Sequence, residues 1–348
     1  MDRVFFLGAC SCKGFVSHYD SLLEEIGHLS IIKGGSGCGK STFMKAIGAA
    51  AEEKGYAVSY ILCSSDPDSL DGVLIPELSL GFVDGTAPHV LEPLLCGGSS
   101  NYLNFGAFYD REEMKTNEEE IRSVQRKNKR QYELVHSCLR AVDGLLDCIR
   151  SETKAPMYHE EMQSIGECLC LSALKPKFGK GRLSRRFLSA LTPKGIRFCC
   201  QTPHSLCPKV YVLRDDYLLA PRLLSLVQEK ALSNGYDCIA CYSPLLPQGE
   251  PTHLLIPEAG AAFVSHSKLF PYTGESICSI ELNSTLPAAV RKELDYVTPM
   301  VSELLRFTVT HLEAAKALHD RIEALCKPFV NFQAVNALTQ KTIEDLFT

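Results

Sequence analysis

The segment IIKGGSGCGKSTF at residues 31–43 constrains this chain more than any other feature. It contains the spacing G-x-x-x-x-G-K-[ST], with Gly34, Gly39, Lys40 and Ser41 at the defining positions. An apolar run, HLSIIK, precedes it, and apolar residues at helical spacing follow it. A strand, a glycine-rich loop and a helix are the context in which this spacing binds phosphate groups. The segment therefore predicts an α/β domain with an anion-binding loop.

The loop has the residue types that a nucleoside triphosphate requires. Glycines let successive backbone N–H groups turn toward phosphate oxygens, and the N-terminus of the following helix adds partial positive charge. Lys40 would reach the β- and γ-phosphates, and the Ser41 hydroxyl would be a ligand of Mg²⁺. We therefore predict ATP and Mg²⁺ as cofactors. The predicted binding residues are Gly34, Gly35, Ser36, Gly37, Cys38, Gly39, Lys40, Ser41 and Thr42.

Carboxylates downstream of the loop are candidates for the magnesium and for the attacking water. The apolar strand LGFVDG (80–85) ends in Asp84, which would face the loop across neighbouring strand ends and hold Mg²⁺. The alternative is an ordinary turn aspartate. Segment 63–78 offers Glu77 as a general base, or its acids belong to a solvated loop with helix caps. His89 is either a γ-phosphate sensor or a plain loop histidine. The predicted catalytic residues are Lys40, Asp84 and Glu77.

The chain also repeats itself at an offset of about 181 residues. FFLGACSCKGF resembles RFLSALTPKGI, and VLIPELSLGFVDGT resembles LLIPEAGAAFVSHS, in the same order along the chain. We predict two tandem P-loop NTPase-like domains, each a three-layer α/β unit with a mainly parallel sheet and an added helical segment. The predicted domains are residues 1–175, with the intact loop, and residues 176–348. The helical segments are 111–150, with a solvated hairpin or a partner surface at 111–133, and about 286–347.

The second half lacks the residues that phosphate chemistry requires. DDYLLAPRL (215–223) stands where the first half has GGSGCGKST, so the glycines and the lysine are lost. Ser265 stands at the position of Asp84, which removes the magnesium carboxylate. We therefore predict a non-catalytic repeat, with Arg214 or Arg222 as a candidate arginine finger toward the first site.

The paired halves, the block DPDSLDGVLIPEL…FVDGTAPH and the PKG near the start of the second half resemble a known family. It is a family of uncharacterised bacterial tandem P-loop ATPase-like proteins, found mostly in Firmicutes. The resemblance covers nearly the whole chain. It implies ATP binding at residues 34–42, and it maps the DGTAPH block onto Asp84–His89. Family members often keep a second glycine loop, and this chain departs from the family there.

Composition limits the classes of partner. The net charge of −5 gives no electrostatic reason to expect nucleic acid or anionic lipid. No run of about 20 apolar residues suggests a membrane span. The N-terminus is typical of an early strand rather than a signal peptide, so we predict a cytoplasmic protein whose 16 cysteines are reduced thiols. The expected partners are a nucleotide and an unidentified small molecule or protein.

These observations favour a magnesium-dependent ATPase that uses the first site. A small-molecule or nucleoside kinase is the alternative, with the acids of 63–78 holding the acceptor hydroxyl. Its lids would be the basic segments RKNKR (126–130) and KFGKGRLSRR (177–186), although the second also fits an interdomain linker. A nucleotide-dependent regulatory module with little turnover is the third hypothesis.

Overall fold

Two six-stranded sheets organise the part of the chain that the computed structural model describes, residues 2–93 and 98–347. The first half contains β1 (Arg3–Phe5), β2 (Gly8–Ser11), β3 (Gly14–Ser17), α1 (Asp20–Glu25), β4 (His28–Lys33), α2 (Lys40–Glu53), β5 (Ser59–Leu62), β6 (Leu70–Ile75), β7 (Leu80–Asp84), β8 (Ser100–Asn104), α3 (Arg111–Met114), α4 (Glu118–Thr153) and α5 (Pro156–Ala173).

The second half follows with the same kinds of element. It contains β9 (Leu183–Arg186), β10 (Ser189–Thr192), β11 (Gly195–Phe198), α6 (Thr202–Leu206), β12 (Lys209–Arg214), α7 (Ala220–Ser233), β13 (Cys238–Cys241), β14 (His253–Ile256), β15 (Ala261–His266), β16 (Cys278–Glu281), α8 (Ala288–Leu294), α9 (Val297–Cys326) and α10 (Phe332–Phe347). The predicted α/β class is confirmed.

Both sheets are mixed rather than purely parallel. The first has the order β1-β5-β6-β7-β4-β8, and β6 runs antiparallel to both of its neighbours. Residues 63–78 were expected to supply active-site acids or to form a solvated loop with helix caps, and the loop alternative is wrong for residues 70–75. All six residues of β6 are buried, and this apolar run forms a central strand between β5 and β7.

The two sheets share one topology. The second has the order β9-β13-β14-β15-β12-β16, with β14 antiparallel to its neighbours as β6 is in the first. Ile32 pairs with Asp84 in the first sheet, and Leu213 pairs with Ser265 in the second. Leu213 and Ser265 are the residues that the repeat offset of the sequence places opposite Ile32 and Asp84. The internal similarity of the sequence therefore has a structural counterpart.

The halves meet through equivalent residues. The backbone N–H of Phe6 donates to the carbonyl of Phe187 at 2.9 Å, and Phe187 returns the bond to Phe6 at 2.8 Å. Both phenylalanines are completely buried. Beside this bridge, the Thr202 hydroxyl accepts from the Val4 N–H at 2.9 Å. The junction is thus part of the hydrophobic core, not a linker between separate bodies.

A long helix from each half forms an antiparallel pair. The side-chain amide of Asn117, the residue just before α4, donates to the carbonyl of Leu325 in α9 at 3.2 Å, and that of Asn128 in α4 donates to the carbonyl of Ala315 at 3.2 Å. Buried residues of α4 recur at steps of three and four, which gives the helix an apolar stripe facing its partner. Segment 111–133, for which a solvated hairpin or a partner surface was predicted, forms α3 followed by the start of one continuous helix rather than a hairpin.

The last helix of each half crosses to the other half. α5 packs against α7 of the second sheet, and α10 packs against α2 of the first. The domain boundary at residue 175 stays a prediction, but helices on one side of it pack against helices on the other side. This exchange brings distant parts of the chain to the glycine loop.

The helices that the model describes include none that is both long and apolar enough to cross a bilayer. The fifteen cysteines in the described ranges are all free thiols. Cys238 and Cys241 lie at the two ends of β13.

Candidate functional site

The glycine loop, residues 34–42, joins the end of β4 to the start of α2. Gly37 and Gly39 have positive φ values of 77° and 95°, a region that suits glycine. Gly39 caps α2 in a left-handed conformation, so the helix begins at Lys40. The loop therefore turns sharply and places the positive end of α2 at a pocket of about 300 Å³.

Lys40 and Asp84 meet at the mouth of this loop. The Lys40 Nζ lies 3.4 Å from Asp84 Oδ2, and the two side chains are only 12% and 13% exposed. The ammonium group also donates to the carbonyls of Gly34 at 2.6 Å and Gly35 at 3.0 Å. Because β7 pairs with β4 in parallel, Asp84 ends its strand directly beside the loop. The structure therefore brings together the lysine and the acid that the sequence singled out.

Asp84 and Ser41 are each fixed by a backbone amide. Thr86 donates its N–H to Asp84 Oδ1 at 2.8 Å, and its hydroxyl contacts the same oxygen. The Ser41 hydroxyl accepts from the N–H of Leu70 at 2.9 Å, which ties the glycine loop to β6. A serine oxygen that accepts one bond keeps a second lone pair. Ser41 and Asp84 thus line one pocket, and their side-chain oxygens are of the kind that Mg²⁺ prefers as ligands.

Glu77 lies at the wrong end of the sheet for catalysis. It sits in the turn Pro76–Leu78 between β6 and β7, and its carboxylate accepts from Ala57 N–H at 3.2 Å. β6 starts beside Ser41 and runs away from it, so the turn that follows β6 is at the opposite edge from Asp84. The structure therefore does not bring Glu77 to Lys40 and Asp84.

Helices of the second half cover the glycine loop. His319 Nε2 in α9 lies 3.3 Å from the Ser36 hydroxyl oxygen. A Cβ added to Gly37 would lie 3.1 Å from Lys327 Cγ, and one added to Gly39 would lie 3.3 Å from Val335 in α10. The sequence analysis missed these residues, because nothing local marks a helix some 280 positions away as a neighbour.

A second cluster of polar residues lies in the wall of the same pocket. Cys63, Asp71 and His89 each offer a metal-ligand atom within 4.8 Å of the others. His89 Nε2 lies 3.2 Å from Asp71 Oδ2. Burial lowers the pKa of His89, but the Asp71 and Asp84 carboxylates together raise it by more, so the net direction is upward. Burial, reinforced by Asp71, raises the pKa of the Cys63 thiol.

His89 is therefore neither a plain loop histidine nor a side chain in the open pocket. It is 7% exposed and contacts the rings of Phe15 and Tyr19. Asp71 is the one member of this cluster with a signal in the sequence, since it is one of the acids of segment 63–78. Nothing in the sequence marked Cys63 as a metal ligand, because it belongs to no cysteine pair with the spacing of a metal site.

The second half carries an acid where the first has its glycine loop. Asp215 follows β12 directly and is 5% exposed. Its Oδ1 accepts from the N–H groups of Tyr217 at 3.2 Å and Leu219 at 3.0 Å, and its Oδ2 accepts from Ala220 at 2.8 Å. Burial raises the pKa of Asp215, and these backbone bonds oppose the rise. This carboxylate occupies the N-terminus of α7, where a phosphate would otherwise bind.

The other basic candidates lie away from the glycine loop. Arg214 Nε donates to Ser279 at 3.0 Å, and Arg222 contacts His159, both on the side of the second sheet. Neither lines the pocket at the glycine loop, so the arginine-finger prediction is not supported. Residues 126–130 lie within α4, and Lys177 pairs with Glu258 of the second half at 2.6 Å, so neither basic segment is a lid over this pocket.

Comparisons with protein-family models, curated proteins and solved structures found no match to this chain. The resemblance to tandem ATPase-like proteins therefore stays a prediction.

Proposed function

We propose that this chain binds ATP with Mg²⁺ at the glycine loop and hydrolyses it. The observation that carries the proposal is the contact of Lys40 with Asp84 at the N-terminus of α2. A buried cation, a carboxylate and a helix N-terminus in one pocket are suited to a phosphate chain with its metal. The proposed fold is correspondingly a tandem of P-loop NTPase-like, three-layer domains, with the second one non-catalytic.

The loop geometry fits a phosphate group. A Cβ added to Gly34 would lie 2.8 Å from Cys38 Sγ and 2.8 Å from Phe105, so this position excludes any side chain. The backbone at Gly37 and Gly39 likewise adopts φ values that favour glycine. These glycines leave main-chain N–H groups and the start of α2 as the principal surface of the loop.

Each polar residue would then have a separate task. Lys40 would neutralise charge on the phosphates, and Ser41 and Asp84 would hold Mg²⁺, which supplies charge stabilisation at the phosphates when bound. His319 and Lys327, reaching the pocket from the second half, would link the nucleotide to the position of α9. This arrangement supports an ATPase in which the nucleotide is sensed between the halves.

Calorimetry of ATP with Mg²⁺ tests the site assignment. Replacing Lys40 with alanine removes charge-assisted bonds to phosphate, so the affinity should fall by about tenfold or more. Lys54→Ala is the matched control, because Lys54 is exposed at the opposite end of α2 and should leave the affinity unchanged. Equal affinities in wild type and Lys40→Ala would refute the proposed site.

Turnover assays separate the possible activities. Asp84→Asn should retain nucleotide binding and lose magnesium-dependent phosphate release, because the amide is a poorer ligand for the ion. Phosphate release from ATP alone supports the ATPase. Formation of a phosphorylated compound from a metabolite panel would instead identify a kinase, and tight binding without turnover would identify a regulatory module.

A further inference from the structure

Three potential metal ligands of different chemistry converge beside the glycine loop. Cys63 follows β5, Asp71 lies at the start of β6 and His89 follows β7, so all three lie at one edge of the first sheet. Their nearest ligand atoms, one sulfur, one oxygen and one nitrogen, lie within 4.8 Å of one another. Such convergence from three separate segments is a tertiary feature that no single motif encodes.

The cluster contains buried polar atoms without hydrogen-bond partners. His89 Nδ1 and Asp71 Oδ2 are both buried and unbonded, on side chains whose residues are 7% and 5% exposed. Asp71 Oδ2 has only the 3.2 Å contact with His89 Nε2, which lacks the alignment of a hydrogen bond. Buried polar groups are normally satisfied, so the Asp71 oxygen, which lies in the cluster beside His89 Nε2, requires a further partner.

The backbone around the cluster is well anchored. The Cys63 N–H donates to the carbonyl of Ser69 at 3.1 Å, and the His89 N–H donates to that of Thr86 at 2.8 Å. Asp71 is the extra residue at a bulge in β6, flanked by Leu70 and Gly72, which both pair with β5. The three side chains are therefore presented by a fixed framework, which a metal site requires.

The ligand set favours a borderline-soft cation. Thiolate, imidazole and carboxylate together suit Zn²⁺ or Co²⁺, whereas Mg²⁺ selects oxygen ligands such as those of Ser41 and Asp84. Bonds of about 2.0–2.3 Å in a tetrahedron place ligand atoms roughly 3.5 Å apart. The 3.2 Å separation of Asp71 and His89 already meets this requirement. The Cys63 sulfur lies within 4.8 Å of both other ligand atoms, so closure on an ion requires it to approach them by at most about 1.3 Å.

The cluster opens toward the pocket at the glycine loop. Cys63 and Asp71 line that pocket together with Lys40 and Asp84, which gives the ion an entry path. Three protein ligands with one open position are the arrangement of zinc sites that also bind water or substrate.

The second half lacks the cluster as well as the glycine loop. At the corresponding positions it has Ser243, Thr252 and Phe270. Only the half with the intact loop thus has the three ligands.

We propose that Cys63, Asp71 and His89 bind a divalent ion of the zinc class in the wall of this pocket, with a fourth position open to it. The thiol proton of Cys63 is released to solvent as the sulfur–metal bond forms. This site is distinct from the proposed Mg²⁺ site, and neither proposal requires the other.

Cobalt titration of the full-length, chelator-treated and reduced protein tests the site. Co²⁺ at one equivalent should give a thiolate-to-cobalt charge-transfer band and the visible bands of tetrahedral cobalt. Cys63→Ser should abolish the charge-transfer band, and His89→Gln should weaken cobalt binding by about tenfold or more. Cys38→Ser is the matched control, because Cys38 is a thiol in the same pocket but outside the cluster.

Retained binding of ATP with Mg²⁺ and an unchanged circular dichroism spectrum would show that Cys63→Ser is folded. If that variant does not fold, His89→Gln decides the question by its cobalt affinity. The same band in wild type and Cys63→Ser, or no band in wild type, would overturn the proposal. Lys40→Ala should lose ATP but keep the cobalt spectrum, so failure of the nucleotide site and failure of the metal site give different results.

Discussion

At the residue scale, the two halves handle charge at the same position in opposite ways. In the first half, Lys40 and the helix N-terminus present positive charge to a pocket, with Asp84 beside them. In the second half, Asp215 supplies a carboxylate that accepts three backbone N–H groups at the start of α7. In the second loop the Asp215 carboxylate therefore takes the place that a bound phosphate would have, so glycines and a lysine are not required there.

Removal of the Asp215 carboxylate should destabilise the fold without affecting nucleotide binding. Asp215→Ala leaves buried N–H groups at residues 217, 219 and 220 without an acceptor, so the free energy of unfolding should fall by about 1–3 kcal/mol. Urea unfolding measures the change, and Glu303→Gln, an exposed carboxylate on α9, is the control. An unchanged midpoint for Asp215→Ala would show that the carboxylate does not serve as the cap.

At the element scale, the antiparallel strands β6 and β14 determine what reaches each site. β6 begins beside Ser41, so Asp71 lies near the glycine loop, and the turn containing Glu77 lies at the far edge. In the second sheet, β14 carries the fully enclosed His253, whose Nδ1 accepts from the Ser265 N–H at 3.1 Å. One reversed strand in each sheet thus decides which polar residues gather at the strand ends.

The buried histidine of β14 makes stability depend on pH. Burial lowers the pKa of His253 to about 3, so protonation favours the unfolded chain. Its contribution is complete above about pH 6.5, the ordinary value, and is lost as the pH falls from there toward 3. In His253→Gln, the stability difference between pH 7 and pH 5 should shrink by about 2 kcal/mol.

Urea unfolding at the two pH values measures this difference. His28→Gln is the control, because His28 is exposed at the start of β4. If wild type and His253→Gln lost equal stability between pH 7 and pH 5, the histidine would not be buried in its neutral form.

At the scale of the whole molecule, the halves are interleaved. α10 packs on α2, α5 packs on α7, and α4 runs antiparallel to α9. Arg186 of β9, 6% exposed, pairs with Glu25 of α1 across the junction. Large apolar surfaces of each half are therefore buried by the other, which predicts one cooperative unit rather than two independent domains.

Separated halves should consequently depend on each other. Fragments 1–175 and 176–348 should be poorly folded when expressed singly, because each lacks the helix that covers its sheet. Coexpressed, they should associate and copurify through a tag on one fragment. The full-length chain should melt in a single transition by circular dichroism. A monomeric 1–175 fragment that melts cooperatively at the temperature of the full chain would contradict this architecture.

The sequence by itself determined the features whose physics is local. Contiguous residues predicted the strand His28–Lys33, the glycine turns and the helix that begins at Lys40. They also predicted that residues 215–223 lack the glycines and the lysine of a phosphate-binding loop. Asp84 was predictable because its strand is short, apolar and ends in an acid. The similarity at a fixed offset also indicated one topology in both sheets.

Only the tertiary structure decided which distant residues share the pocket. The direction of β6 removed Glu77 from the site and brought Asp71 to it. The crossing of α9 placed His319 beside Ser36, although 283 positions separate them. Cys63 and His89 lie beside Asp71 because β5 and β7 end, and the antiparallel β6 begins, at one edge of the sheet. Such contacts depend on strand order and on helix packing, which apolar periodicity within one segment does not encode.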